Sequence, residues 1–169
     1  MGVSARCWGI LACVLAMPGS VLADDDVASY AVAGKYFDAR DQPTYQIAPD
    51  GTVDWYTAHG FEAYRATCES CHGPHGAGSE YGSALVQHVE TARYFDFTDI
   101  TVNGQFVQAA GSVRVMPAFG TNPDVMCSLD AIYIYLRAEA AGVLRSGAPP
   151  VATEDNAVAA DQLAECLRE

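Results

Sequence analysis

The chemistry in this sequence concentrates in Cys68-Glu69-Ser70-Cys71-His72. Two cysteines three residues apart, with a histidine directly after the second, form the C-x-x-C-H pattern of covalent haem attachment. On a helical turn, residues i and i+3 face the same way. Both thiols can then add to the two vinyl groups of one haem, and His72 is carried under the ring as a proximal iron ligand. Three other chemistries use the same spacing. A thioredoxin-like dithiol needs a preceding strand in a βαβ setting, whereas residues 54–67 read as a helix. Structural zinc needs Cys127 or Cys166 as further ligands, and these are single cysteines and not a second close pair. A plain Cys68–Cys71 disulfide leaves His72 without a role.

A haem held by His72 needs a ligand on its other face. Outside the first 23 residues the methionines are Met116 and Met126. Met116 lies in Val115-Met116-Pro117-Ala118-Phe119-Gly120, where the proline restricts the loop and can hold the sulfur at iron. Met126 lies beside Cys127 at a helix entry, a setting suited to core packing. Met116 is therefore the expected distal ligand. His88 and His75 are the remaining candidates, with His75 too near His72 to reach the opposite face. His59 reads as a helix-surface residue. Arg114 and Arg65 are positioned to meet a haem propionate or to stand as solvated surface residues, and Glu80 and Tyr81 to rim the haem edge.

Several elements must hold this set in place. Residues 54–67 read as a helix capped by Asp54, with Trp55, Phe61 and Tyr64 as its apolar bulk. Residues 73–82 are a glycine-rich loop. Residues 83–107 are expected to hold one or two short helices, and 109–124 a loop broken by glycine and proline. Ser128 is expected to cap a helix to about Ala141, with Leu129, Ile132, Tyr133 and Leu136 on its apolar face and Gly142 as its stop. A last short helix covers about 157–168. Tyr45-Gln46-Ile47 and Thr52-Val53 flank Pro49-Asp50-Gly51 and read as a small hairpin in an arm over 24–53. Disorder is expected over the first dozen residues of that arm. The resulting organisation is a signal segment (1–23), the arm (24–53), a haem domain (54–146), and a linker with a short helix (147–169).

These motifs resemble those of the class I cytochromes c. In that family a glycine and an aromatic precede the first haem cysteine by eight and four residues, and Gly60 and Tyr64 hold those places. The family's C-terminal helix carries an aromatic-leucine pair, matched by Tyr135-Leu136. The resemblance covers about residues 54–142. It implies an all-α fold in which N- and C-terminal helices cross beside one covalent haem c. Here the hairpin arm and the short C-terminal helix are additions. The stretches KYFDARDQPTYQIAPDGTVDWY, VMPAFGTNPDVMC and SLDAIYIYLRAEAAGVL are further similar to a small four-cysteine cytochrome c group of methanol metabolism. That similarity implies a quinoprotein (PQQ-dependent) methanol or alcohol dehydrogenase as donor, and an oxidase or second cytochrome as acceptor.

Composition agrees with an exported electron carrier. The chain has 169 residues, 50% of them hydrophobic, and a formal net charge of −12. With 9 Lys+Arg against 21 Asp+Glu, and Lys35 the single lysine, it offers no basic face for nucleic acid or anionic lipid. Any docking partner should therefore be basic or apolar where it touches. Arg6, the apolar run from Cys7 to Met17 and Val21-Leu22-Ala23 read as a secretory signal cleaved after about Ala23. The apolar run is too short to span a membrane, which takes about 20 residues. A lipoprotein site at Cys13 is the weaker alternative, because the apolar stretch continues past it. Cleavage removes Cys7 and Cys13 and delivers the rest to the periplasm, where Cys127 and Cys166 are expected to pair as a disulfide. The alternative leaves Cys127 a buried thiol and Cys166 on a frayed tail. A haem enzyme or haem-based sensor with an open distal site remains the competing function, although no distal His–Arg pair lies beside the iron ligands to promote it.

Overall fold

The structure is a computed structural model that describes residues 27–109, 112–144, 149–153 and 155–168. The signal segment, Arg6, Cys7, Cys13, the start of the arm and linker residues 147 and 148 lie outside these. In chain order come β1 (Tyr30–Val32), β2 (Lys35–Phe37), β3 (Pro43–Thr44), α1 (Trp55–Thr67) and α2 (Glu69–His72). A single 3₁₀ turn at Pro74–Gly76 leads to α3 (Leu85–Val89), α4 (Tyr94–Asn103), β4 (Gln105–Ala109) and β5 (Ser112–Met116). The chain continues with α5 (Pro123–Met126), α6 (Leu129–Ala140) and α7 (Ala157–Cys166). No helix among the described residues is long and apolar enough to cross a membrane.

The crossing of α1 and α6 organises the core. Asp54 caps α1, its carboxylate accepting from the Thr57 amide at 3.1 Å. Gly60 sits against the α6 backbone: a Cβ there would lie 1.9 Å from the Ala131 carbonyl oxygen. That closeness brings Phe61 and Tyr64 onto Tyr135, with ring centroids 5.7 and 5.5 Å apart. Ile132, Tyr133, Ile134, Tyr135 and Leu136 are all essentially solvent-free. At the end of α6 the amides of Gly142 and Val143 bond back to the carbonyls of Glu139 and Ala138, closing the helix where expected.

Ser128 occupies the N-cap position of α6, but its side chain does not cap the helix. The hydroxyl instead meets His59 Nε2 at 3.1 Å. His59 is accordingly not the surface residue expected. It is half-buried, stacks on Trp55 at 4.9 Å, and burial lowers its pKa.

The fold is mostly helical, with two small antiparallel sheets that the sequence reading did not foresee. β1, β2 and β3 form one sheet within the arm, where β1 and β2 are joined through Ala33-Gly34. Order therefore begins inside the stretch expected to be disordered. The hairpin expected around Pro49-Asp50-Gly51 is present only as the isolated bridge Ile47–Val53. The arm is pinned by Arg137 of α6, which donates to the Pro43 carbonyl at 2.7 Å and to Asp38 at 2.9 Å. Asp38 is fully buried and also accepts from the amides of Arg40 and Gln42. Removing one partner of such a pair strands a buried charge, at about 3–5 kcal/mol. The second sheet is the β4–β5 ribbon, in the region read as the end of a helix and a loop.

Cys127 and Cys166 are joined by a disulfide that ties the end of α7 to the turn before α6. Closing a loop of this length limits the unfolded chain by about 4 kcal/mol on a chain-entropy estimate. Cys166→Ser is expected to lower Tm by on the order of 10 °C and to leave the haem spectrum unchanged. Thermal melts of the two forms check this, and an unchanged melt removes the staple role.

Candidate haem site

α1 ends at Thr67, and Cys68 is both its C-cap and the N-cap of α2, which carries Cys71 and His72. A helix, not a strand, precedes the two cysteines, which counts against the thioredoxin reading. Neither cysteine is disulfide-bonded. Burial raises the Cys68 thiol above its usual pKa, against a hydrogen bond with the Thr67 hydroxyl at 3.3 Å. Because Cys127 and Cys166 bond each other, they do not complete a zinc site with this pair. Among the described residues no group of three or more His, Cys, Asp or Glu side chains is placed to hold a metal ion.

The glycine-rich loop folds back over α2. Tyr64 donates to the Gly73 carbonyl at 2.5 Å, and Ser79 donates to the Cys71 carbonyl at 2.5 Å. Gly82 then passes so close that a Cβ would lie 2.7 Å from the Cys71 carbonyl and 2.9 Å from His72 Nδ1. The next residue, Ser83, accepts a hydrogen bond from His72 Nδ1 through its carbonyl at 2.8 Å. A donor at Nδ1 fixes the tautomer and leaves the Nε2 lone pair for a metal. Sequence reasoning missed Ser83, because the group that acts is a backbone carbonyl and no side-chain pattern announces it.

Cys68, Cys71, His72 and Met116 all line one cavity of about 810 Å³. Leu85, Phe97, Val125, Leu129 and Ile132 supply apolar walls. That volume lies within the roughly 300–1,000 Å³ usual for cofactor sites. Two free thiols, an oriented imidazole and a thioether on an apolar cavity fit a haem attached through thioethers. Met116 ends strand β5 and does not sit in a loop as expected; its neighbours across the ribbon fix its register opposite Gln105. Met126 packs against the helical core and is absent from the cavity lining.

The other candidates separate clearly. His88 and Arg114 line the cavity, as do Glu80 and Tyr81. His75 does not; it bonds Glu139 at 2.7 Å. Arg65 also lies off the cavity, paired with Glu69 at 3.7 Å and stacked over Phe61.

Crossed helices and a thiol-bearing apolar cavity define a haem-binding helical domain. Residues 57–136 match the family model described as cytochrome c oxidase, cbb3-type, subunit III. The chain is 49% identical over 116 residues to cytochrome c-553I of Paracoccus denitrificans, covering 69% of this chain and 51% of that one. It thus spans about half the length of that curated relative. It is 28% identical over 96 residues to cytochrome c-555 of Methylococcus capsulatus, covering 56% of this chain and 72% of that one. Among solved structures it matches the c-type cytochrome XoxG of Methylobacterium extorquens AM1 at 39% identity and a TM-score of 0.76. The match covers 84% of this chain and 87% of that one. The chain belongs to the class I c-type cytochromes. Its cofactor is accordingly one covalently bound haem c.

Proposed function

We propose that the protein is a periplasmic carrier of single electrons, with haem attached through Cys68 and Cys71 and ligated by His72 and Met116. One observation carries this reading: the imidazole and the thioether, far apart in sequence, line the same apolar cavity as the two free thiols. Two protein ligands leave the iron no open position for a substrate. A thioether ligand raises the reduction potential, and burial among apolar side chains acts in the same direction. Residues 54–146 form the haem domain, the arm over 24–53 braces it, and 147–169 carries the staple. Residues 1–23 act as the export signal.

The donor in this proposal is a PQQ-dependent methanol or alcohol dehydrogenase, and the acceptor an oxidase or another cytochrome. Similarity to XoxG and the sequence stretches quoted above support that assignment. Docking is small and transient, as redox encounters are. Gln105, Val107, Val113, Val115, Pro117 and Phe119 line one side of the cavity, and the sequence from 104 to 122 contains no acidic residue although the chain is strongly acidic overall. An apolar contact at that side, guided from a distance by basic groups on the partner, suits this distribution.

The test uses one purified sample. Mass is expected to show one covalent haem. The ferric spectrum is expected to be low-spin with a sulfur-to-iron charge-transfer band. A purified PQQ-dependent methanol dehydrogenase with methanol is expected to reduce the protein. A high-spin ferric spectrum overturns the carrier reading, and reduction by other donors alone overturns the assignment of the dehydrogenase.

A further inference from the structure

The β4–β5 ribbon has two faces, and the haem cavity accounts for one of them. Side chains alternate along a strand, and residues directly opposite in an antiparallel pair share a face. Gln105 pairs with Met116 and Val107 with Arg114, which sets these four on one face. All four line the cavity. Phe106 pairs with Val115 and Gln108 with Val113, so these four belong to the other face. Phe106 and Val115 are each 64% exposed and Val113 is 57% exposed. Val113 and Val115 border the cavity as well, whereas Phe106 does not. A group that fills the cavity lies on the first face and leaves Phe106 bare.

The chemistry of a cover for that face can be read from its surroundings. From 104 to 122 the sequence has no Asp or Glu, and Arg114 is its single Lys or Arg, in a chain of formal net charge −12. Neighbouring apolar side chains left in water mark a place of contact, and a two-stranded ribbon is marginal without one. Strands of this length span about 17 Å, so the face offers a few hundred Å² at most. That is the centre of a small, transient contact and falls short of the roughly 800 Å² per partner of a stable interface. A second copy suits the face poorly, because it would bring two strongly acidic chains together. A redox partner suits it in place as well as in size. Val115 directly precedes Met116, the proposed iron ligand, so a protein seated on Phe106 and Val115 lies one residue from that ligand.

We propose that the outer face of the ribbon, centred on Phe106 with Val113 and Val115 beside it, is the docking surface for the donor dehydrogenase. This rests on the carrier reading above and names the surface that serves it. The dehydrogenase presents an apolar patch to Phe106, and basic groups at the margin of that patch meet carboxylates elsewhere on this chain. The apolar contact is insensitive to salt, whereas the guidance from a distance is screened by it.

The experiment measures reduction of the haem-loaded protein by a purified PQQ-dependent methanol dehydrogenase with methanol, and separately by ascorbate. Phe106→Ala is expected to lower kcat/KM with the dehydrogenase about tenfold, as truncation of an aromatic anchor does. The factor should be the same at low and high salt. Phe106→Glu is expected to lower it further, and Phe106→Leu to stay near wild type. The rate with ascorbate and the sulfur-to-iron band should be unchanged in all three. Val32→Ala, at an exposed apolar residue of β1 in the arm, is expected to leave the rate with the dehydrogenase unchanged. In the ferric wild type, amide hydrogen exchange over 105–109 is expected to slow when the dehydrogenase is added without methanol, a reading that needs no variant. Equal kcat/KM in Phe106→Ala and wild type, or exchange that does not slow, overturns the proposal and leaves the carrier reading intact. A matching loss with ascorbate assigns Phe106 to the haem site and overturns it. A wild-type dimer that Phe106→Ala dissociates gives the face to a second copy and overturns it too. Wild type that ascorbate reduces and the dehydrogenase does not overturns the assignment of the donor together with this surface.

Discussion

Gly60→Ala is expected to destabilise the haem-loaded protein by about 2–3 kcal/mol, although alanine is the better helix former. Replacing glycine inside a helix ordinarily gains up to about 1 kcal/mol from backbone entropy. Here the new methyl would meet the Ala131 carbonyl oxygen at 1.9 Å, its carbon at 2.5 Å and Tyr135 Cβ at 2.8 Å. Two of those atoms are backbone and the third is fixed to it, so no side-chain rotation relieves the contact. The helices must separate. Separation loosens Phe61 and Tyr64 against Tyr135 and opens the layer formed with Ile132 and Leu136. Overpacking of a well-filled core costs typically about 1–3 kcal/mol and sometimes more, so the clash outweighs the propensity gain. Denaturant titration measures the effect as a lower midpoint at a similar slope. A midpoint equal to or above wild type would mean that the crossing is not closely packed.

That crossing was legible because its residues sit at fixed offsets from a motif. Gly60, Tyr64 and Tyr135-Leu136 stand in family positions, and close approach needs a glycine wherever two backbones touch. The C-x-x-C-H segment was legible for a similar reason: its chemistry is local. The β4–β5 ribbon was not. Gln105–Ala109 and Ser112–Met116 are five residues each, and neither is long enough for its alternation to stand out from a loop. Each becomes a strand only because the other lies beside it. The Asp38–Arg137 pair spans 99 positions, and nothing local to a mid-helix arginine announces a buried carboxylate in the arm. Ser128 and His59 misled in the same way. The local cap rule assigned the hydroxyl to its own helix, while the folded chain offered it an imidazole 69 residues away. The side chains proposed to hold the haem were chosen from type and spacing, and the fold gathers them on one cavity. The Ser83 carbonyl became visible only through packing.

Met116→Leu is expected to abolish the sulfur-to-iron charge-transfer band and to lower the reduction potential, with little change in fold. Leucine matches methionine closely in volume, and such swaps usually cost less than about 1.5 kcal/mol. Met116 is only half-buried at the end of β5, so the stability cost should fall at the low end. What the substitution removes is the thioether. Sulfur donation stabilises ferrous over ferric iron, which is why His/Met ligation raises the potential. Without it the ferric spectrum is expected to turn high-spin, and electron exchange to slow as the iron's coordination reorganises with each transfer. Met126→Leu is the matched control. Met126 packs against the helical core and does not line the cavity, so its replacement should leave band and potential unchanged. Retention of the band in Met116→Leu together with its loss in Met126→Leu would reverse the assignment. A bis-imidazole spectrum in Met116→Leu would have a different meaning. It would show a histidine able to reach the vacated position, and a second substitution at His88, which lines the cavity, would test whether it is that one.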